Sequence, residues 1–380
     1  MSNAILPSTA AGALSEPNPG RRLMSLDALR GFDMFWIIGA DAIVHALRQV
    51  SDAGPVRFLA DQMDHRAWQG FAFYDLIFPL FVFIVGVSLV FSLGKVIEQE
   101  GRAAACRRII RRAILLYVLG VFYYGGFGTP FHGIRLLGVL QRIALSYLFA
   151  GLIFCFLGPR GRVAAWVGLL ASYWALMTFV PVPGVGAGHF EEGKNLANYV
   201  DQQYLPLRKW DGDHDPEGLL STLPAIATCL LGVFAGGLLK NRTLDDRRKL
   251  LYLIGGGVAC VALGWLWNYQ FPVIKKIWTS SYVLVAGGYS CVLLGLFYLI
   301  VDVWKCQKWA QPFVWIGVNP IAIYLAHNLV DFEQIAKRFV GGDLNRSFGS
   351  YGPLLITSVV VAMTFALCYF LYRRRIFLRV

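Results

Sequence analysis

A chain of 380 residues with 57% hydrophobic and only 15% charged side chains cannot bury all its apolar surface inside a water-soluble domain, so the composition excludes an ordinary soluble fold and points to a polytopic membrane protein. The formal net charge of +12 would suit nucleic acid, but lysines and arginines beside apolar spans set topology instead, and a nucleic-acid partner is discounted. Seven cysteines with no CxxC pair and no nearby histidine support neither a disulfide framework nor a metal site.

Met1 to Gly20 is polar, contains proline, glycine and serine, and has no apolar centre. Residues 1–22 are therefore expected to form a cytoplasmic tail without a cleavable signal peptide, followed by one transmembrane domain over residues 23–380. Apolar runs of about twenty residues predict spans at Leu26–Leu47, Tyr74–Leu93, Arg112–Tyr124, Leu136–Leu157, Val163–Val180, Leu219–Leu239, Leu250–Tyr269, Ser281–Val301, Phe313–Val330 and Leu354–Tyr372. The fold class is all-α: an integral membrane bundle of about ten transmembrane helices.

The first span carries Asp27, Arg30 and Asp33 three apart, on one helical face where two acids flank an arginine as a compensated cluster. Further out, Asp41 and His45 share a face and are placed to meet His65 at the outer rim. The stretch HRAWQGFAFYDLIFPLFVFIVGVSLVF, His65 to Phe91, then sets a titratable imidazole at the mouth of the second span. Asp75 at the start of that span is costly unless it has a partner or a watery cavity. It reads either as part of a site or as a helix cap at headgroup level.

Arg107, Arg108, Arg111 and Arg112 recur at helical spacing before the third span, a pattern that anchors on anionic lipid or receives a phosphorylated ligand from the cytoplasm. The fourth span has Arg135 at its outer start, with Gln141 and Arg142 about 10 Å deeper at the helical rise per residue. An arginine at that depth needs an anion, a carbonyl or water: either an internal salt bridge or an anionic ligand threaded through the bundle. The longest loop, Pro181 to Pro216, includes PVPGVGAGHFEEG and WDGDHDPEG and is expected to act as a lid over the outer opening. In the ninth span Asn319, Pro320 and His327 interrupt an apolar helix, which marks a kink beside a cavity.

Basic residues concentrate in alternate loops if the N-terminus is inside, and ten spans return the C-terminus to the same side. All six histidines, His45, His65, His132, His189, His214 and His327, then fall on or near the outer face, the side where proton chemistry is expected.

These blocks, RLMSLDALRGFDMFWIIG, HRAWQGFAFYDLIFPLFVFIVGVS, RLLGVLQRIALSYL, DPEGLLSTLPAIATCLLGVFAG, VNPIAIYLAHN and YRRRIF, together resemble the heparan-α-glucosaminide N-acetyltransferase family and its bacterial relatives. The resemblance implies transmembrane acetyl transfer, with acetyl-CoA supplied from the cytoplasm and an amino-sugar or glycan amine acetylated on the other side. The family's active-site histidine, in an H-x-x-W-x-G block, falls on His65. Its active-site asparagine aligns with Asp41, an acid that can orient or deprotonate where an amide only hydrogen-bonds. The animal enzyme's amino-terminal extracytoplasmic domain has no counterpart, which fits a relative in the bacterial inner membrane.

The expected catalytic set is His65, Asp41 and Asp75. Arg135, Gln141, Arg142, Arg108, Arg112 and Asn319 are expected on the donor, and His45, Trp68, Asp215, Glu217 and His327 on the acceptor, with no metal. Acetyl-CoA, the acceptor, membrane lipid and a second copy of the chain are the expected partners. A proton-coupled transporter of N-acetylglucosamine or a related amino sugar, using the same acids and histidines, is the alternative.

Overall fold

The computed structural model describes residues 23–377, so the expected tail over 1–22 lies outside the described residues. All regular structure among them is helical: α1 (Met24–Phe35), α2 (Asp41–Val50), α3 (Gly54–Met63), α4 (Tyr74–Tyr123), α5 (Val139–Phe156), α6 (Pro159–Phe179), α7 (Leu196–Tyr204), α8 (Thr222–Lys240), α9 (Asp246–Trp267), α10 (Ser280–Phe297), α11 (Gln311–Gly317), α12 (Pro320–Leu329), α13 (Phe332–Val340), α14 (Gly342–Ser347) and α15 (Gly352–Arg373). Among the described residues, seven helices are long and apolar enough to cross a membrane. They coincide with the expected spans except in three places.

The expected first span is broken. α1 passes through a π segment, Trp36–Ala40, in which Gly39 takes φ 120°, before α2 resumes. The expected ninth span is divided into α11 and α12 at Asn319. The expected second and third spans run together as the 50-residue α4, interrupted at Gly101 (φ 85°, ψ 175°). That conformation is accessible to glycine and strained for other residues. The break reverses the chain: Gly120 lies against Gln141 near the start of α5, and Ile109 lies against Gly151 further along. Phe81, in the other arm, lines the same cavity as Leu140. The count of about ten is therefore not reached by unbroken helices.

α4, α5, α8 and α10 form the centre, with 72, 61, 72 and 67% of their most apolar windows buried, against 17, 17 and 22% for α6, α9 and α15. The outer three present apolar side chains outward, as helices facing lipid do. Small residues allow the central helices to touch. A Cβ at Gly86 would lie 1.9 Å from the Cys229 carbonyl oxygen, and one at Gly232 would lie 2.0 Å from that of Phe83, a small-residue crossing of the kind that packs membrane helices without a hydrophobic driving force. The same holds where α1 crosses α11, at Gly31 and Gly317.

The expected ion cluster in α1 forms only in part. Arg30 meets Asp27 at 3.1 Å, and among the described residues it also donates to Ser88 Oγ at 2.7 Å and the Gly317 carbonyl at 3.1 Å. Asp33 is fully buried, and neither carboxylate oxygen has a hydrogen-bond partner among the described residues. The close α1–α11 crossing brings the helix-terminal carbonyl of Gly317 to the guanidinium.

Candidate active site

Two irregular segments meet at the end of the bundle where α4, α5, α8 and α10 begin. The first, residues 64–73, is pinned to the α9–α10 connection by the Gly70 N–H donating to the Val273 carbonyl at 2.9 Å and by a bridge between Gln69 and Ile274. The α9–α10 connection is shaped by its own side chains. Asn268 Oδ1 accepts from the Val273 N–H at 2.8 Å, and Thr279 Oγ1 accepts from the Ile274 N–H at 3.1 Å. Between those anchors Lys275 is directed at His65.

Asp75, in the first turn of α4, is fully buried. Its Oδ1 lies 2.9 Å from His65 Nδ1, while Oδ2 accepts from the Ala72 N–H at 3.0 Å and the Arg66 N–H at 3.3 Å. A carboxylate held by two backbone donors and facing Nδ1 assigns the ring proton to that nitrogen, so that Nε2 carries the lone pair that can accept a proton. Lys275 Nζ sits 2.9 Å from Nδ1, 3.2 Å from Nε2 and 3.3 Å from Asp75 Oδ1. Burial pushes the Lys275 amine below the ordinary lysine range, with Asp75 pulling the other way. Lys275 was not anticipated. The available signal was a pair of adjacent lysines in a loop assigned outside, against the bias of basic residues.

His65, Tyr74, Lys275 and Glu217 form the polar mouth of a cavity of about 230 Å³, whose deeper walls are Met34, Phe81, Ile143, Ile321 and Tyr324. Asp41 is not on the imidazole. It accepts from the Tyr74 hydroxyl at 3.0 Å, and the Tyr74 ring packs on His65 at 4.8 Å between centroids, so Asp41 reaches the site through one side chain. Trp68 donates from Nε1 to the Phe190 carbonyl at 2.8 Å, tying the 64–73 segment to the long loop over residues 181–216.

Arg135 and Arg142 are held differently. Arg135 takes the internal ion pair: its guanidinium holds Asp215 at 2.6 and 2.9 Å and Glu217 at 2.6 Å, between the faces of Tyr124 and Trp210 at 4.5 and 4.9 Å. Burial opposes its charge, but the two acids outweigh burial and raise it further. Burial likewise pushes Glu217 above the usual carboxylate range, against the pull of Arg142 and Arg135. Arg142 is 1% exposed. It donates to Ser221 Oγ and, at 3.3 Å, to the Gly218 carbonyl, lies 4.9 Å from the Trp278 ring centre, and has Nε and Nη1 without hydrogen-bond partners among the described residues. Gln141 donates to the Arg135 carbonyl at 3.3 Å.

The remaining candidates do not line this cavity. Arg108 is exposed and Arg112 lies over Tyr147 at 4.7 Å, both on the second arm of α4. Asn319 is buried at the α11–α12 break and donates to the Ile376 carbonyl at 2.8 Å. His45 faces Asp64 at 3.7 Å, and His327 stacks on Phe332 with centroids 6.0 Å apart. Glu192, Asp211 and His214 cluster within 4.8 Å, but the Lys276 ammonium already holds both carboxylates, at 2.9 and 3.0 Å.

Residues 24–373 match the family described as "Acyltransferase domain". The chain is 26% identical over 373 residues to heparan-alpha-glucosaminide N-acetyltransferase of Mus musculus, covering 83% of this chain and 56% of the mouse protein. It is 27% identical over 376 residues to the Homo sapiens protein of that name, covering 83% of this chain and 55% of the human one. The chain thus spans about half the length of the curated relatives it matches. With a buried carboxylate orienting an imidazole at the mouth of an apolar cavity, and with the match running almost from end to end of the described helices, this chain belongs to the acyltransferase-domain family.

Proposed function

We propose that the protein is a transmembrane N-acetyltransferase that moves an acetyl group from cytoplasmic acetyl-CoA to the amine of an amino-sugar glycan on the extracytoplasmic side of a bacterial inner membrane, with both termini in the cytoplasm. The observation that carries this reading is His65, anchored through Nδ1 on buried Asp75 at the polar opening of a cavity whose interior is apolar. Apolar walls suit an acyl thioester and exclude the water that would hydrolyse it. Nε2 takes the proton of the attacking amine, and Asp75 stabilises the imidazolium that results. The amine nitrogen bonds to the thioester carbon, and the C–S bond breaks to release CoA as its thiol. Asp41 steadies the ring through Tyr74, and Glu217, anchored on Arg135, faces the acceptor.

Acetyl transfer to glucosamine and CoA-induced thermal stabilisation, measured in the wild type, test this directly. A ligand present at about a hundred times its Kd adds about 2.7 kcal/mol of apparent stability. Absence of both signals would overturn the assignment. One observation favours the transporter reading: Asp33 is an acid buried in α1 without a hydrogen-bond partner among the described residues, and acids within membrane spans mark proton or substrate paths. Proton-coupled uptake of N-acetylglucosamine by liposomes, abolished in Asp33→Asn, together with an absence of CoA binding, would establish it.

A further inference from the structure

The acceptor in the proposed reaction is an amine brought to the imidazole at the cavity mouth, and the fold already places an amine there. We propose that Lys275 is a site of self-acetylation: when no acceptor is present, its Nζ takes the acetyl group presented in the cavity and closes the site. This inference rests on the acetyltransferase reading and extends it to the enzyme's own side chain.

The geometry is that of a substrate analogue. Nζ lies within 3.2 Å of both ring nitrogens of His65, Lys275 lines the same cavity as His65, and its side chain is only 20% exposed, so the amine is approached from the cavity more readily than from bulk water. Burial favours the neutral, nucleophilic form of this amine. The adjacent lysine provides a contrast within the same turn. Lys276 is bound by Glu192 and Asp211, which outweigh the effect of burial and hold it charged.

In the proposed step the Nζ lone pair attacks the thioester carbonyl carbon. The N–C bond forms, the C–S bond breaks, and the amine proton passes to His65 Nε2 and from there to the departing thiolate, which becomes the CoA thiol. Nothing is oxidised or reduced. The product, a neutral acetamide, can no longer pair with Asp75 and fills space that the next thioester needs.

The test incubates the purified full chain with acetyl-CoA, with and without excess glucosamine, and reads acetylation of Lys275 and Lys276 by peptide mass spectrometry. The expected result is acetylation that accumulates on Lys275 and not on Lys276, is suppressed by glucosamine, and is about 10²-fold slower in His65→Ala, as for loss of a general base. Wild type held with acetyl-CoA alone should lose transfer activity relative to its own starting value, while Lys275→Arg should not. Equal labelling of the two lysines, label on His65 instead, or a Lys275 left unmodified by acetyl-CoA alone in a preparation that transfers normally to glucosamine would each overturn the inference and leave the acetyltransferase reading standing. Failure of that reading shows differently, as no CoA-induced stabilisation and no transfer to any amine.

Discussion

At the scale of single residues, the proposed chemistry depends on an imidazole whose orientation is fixed from behind. His65→Ala should lower acetyl transfer by about 10²- to 10⁴-fold while retaining CoA-induced stabilisation, because the imidazole stands at the cavity mouth and the deeper walls are apolar. A variant that loses both would place His65 in the donor site. Arg135 has a different role. Arg135→Ala leaves Asp215 and Glu217 buried without their counter-charge, and breaking such a pair costs about 3–5 kcal/mol, to be read as lowered thermal stability in detergent. Asp201 makes stability depend on pH. Burial pushes its carboxyl up to about 6 even though it accepts from the Leu219 and Asp215 N–H groups. The folded state therefore binds this proton more readily than the unfolded chain, so the contribution is fully present below the ordinary aspartate value and lost as pH rises through about 6. The difference corresponds to about 3 kcal/mol. Asp201→Asn should flatten the stability profile between pH 4 and pH 6 relative to wild type, and an unchanged profile would remove this residue as its source. Sequence reading found His65 and Asp75 because ten residues separate them across a helix start. It missed Lys275, whose partner is 210 positions away, because no local pattern encodes that meeting.

At the scale of elements, the reversal inside α4 rests on one backbone conformation. A side chain at Gly101 would meet no neighbouring atom within 4 Å, yet the φ of 85° is strained for any L-residue, so Gly101→Ala should cost about 1–3 kcal/mol. Gly255→Ala, on an open face of α9 with nothing within 4 Å, should be neutral or slightly stabilising because alanine favours helix. Equal melting temperatures for the two variants would mean that the reversal tolerates other conformations. Six spans, those in α5, α6, α8, α9, α10 and α15, were legible as apolar runs bounded by polar or turn-forming residues. The break at Gly39 was less so, because hydropathy averages over a window and does not register one glycine with positive φ. Asn319 and Pro320 did mark a kink, since proline there lacks the donor that a continuous helix needs.

At the scale of the whole molecule, the α4 reversal, the α5–α6 connection and the Lys240–Glu98 pair share one end of the bundle, and His65, Glu217 and Lys275 share the other. The proposed orientation, with the basic loops cytoplasmic, has a cysteine at Arg108 resist an impermeant reagent applied outside and one at exposed Lys194 react. The reverse pattern would invert the orientation. Membrane class and family were legible from composition and from blocks in order, whereas the arrangement of the long loop was not, because its contacts are made to a connection far along the chain. That arrangement has a mechanical result. Lys276 grips the loop through Glu192 and Asp211, Lys275 touches the imidazole, and a single Cα–Cα step of about 3.8 Å separates the two grips. The long loop and the imidazole are thus tied to neighbouring residues of a single turn, so that the two are coupled across one peptide unit.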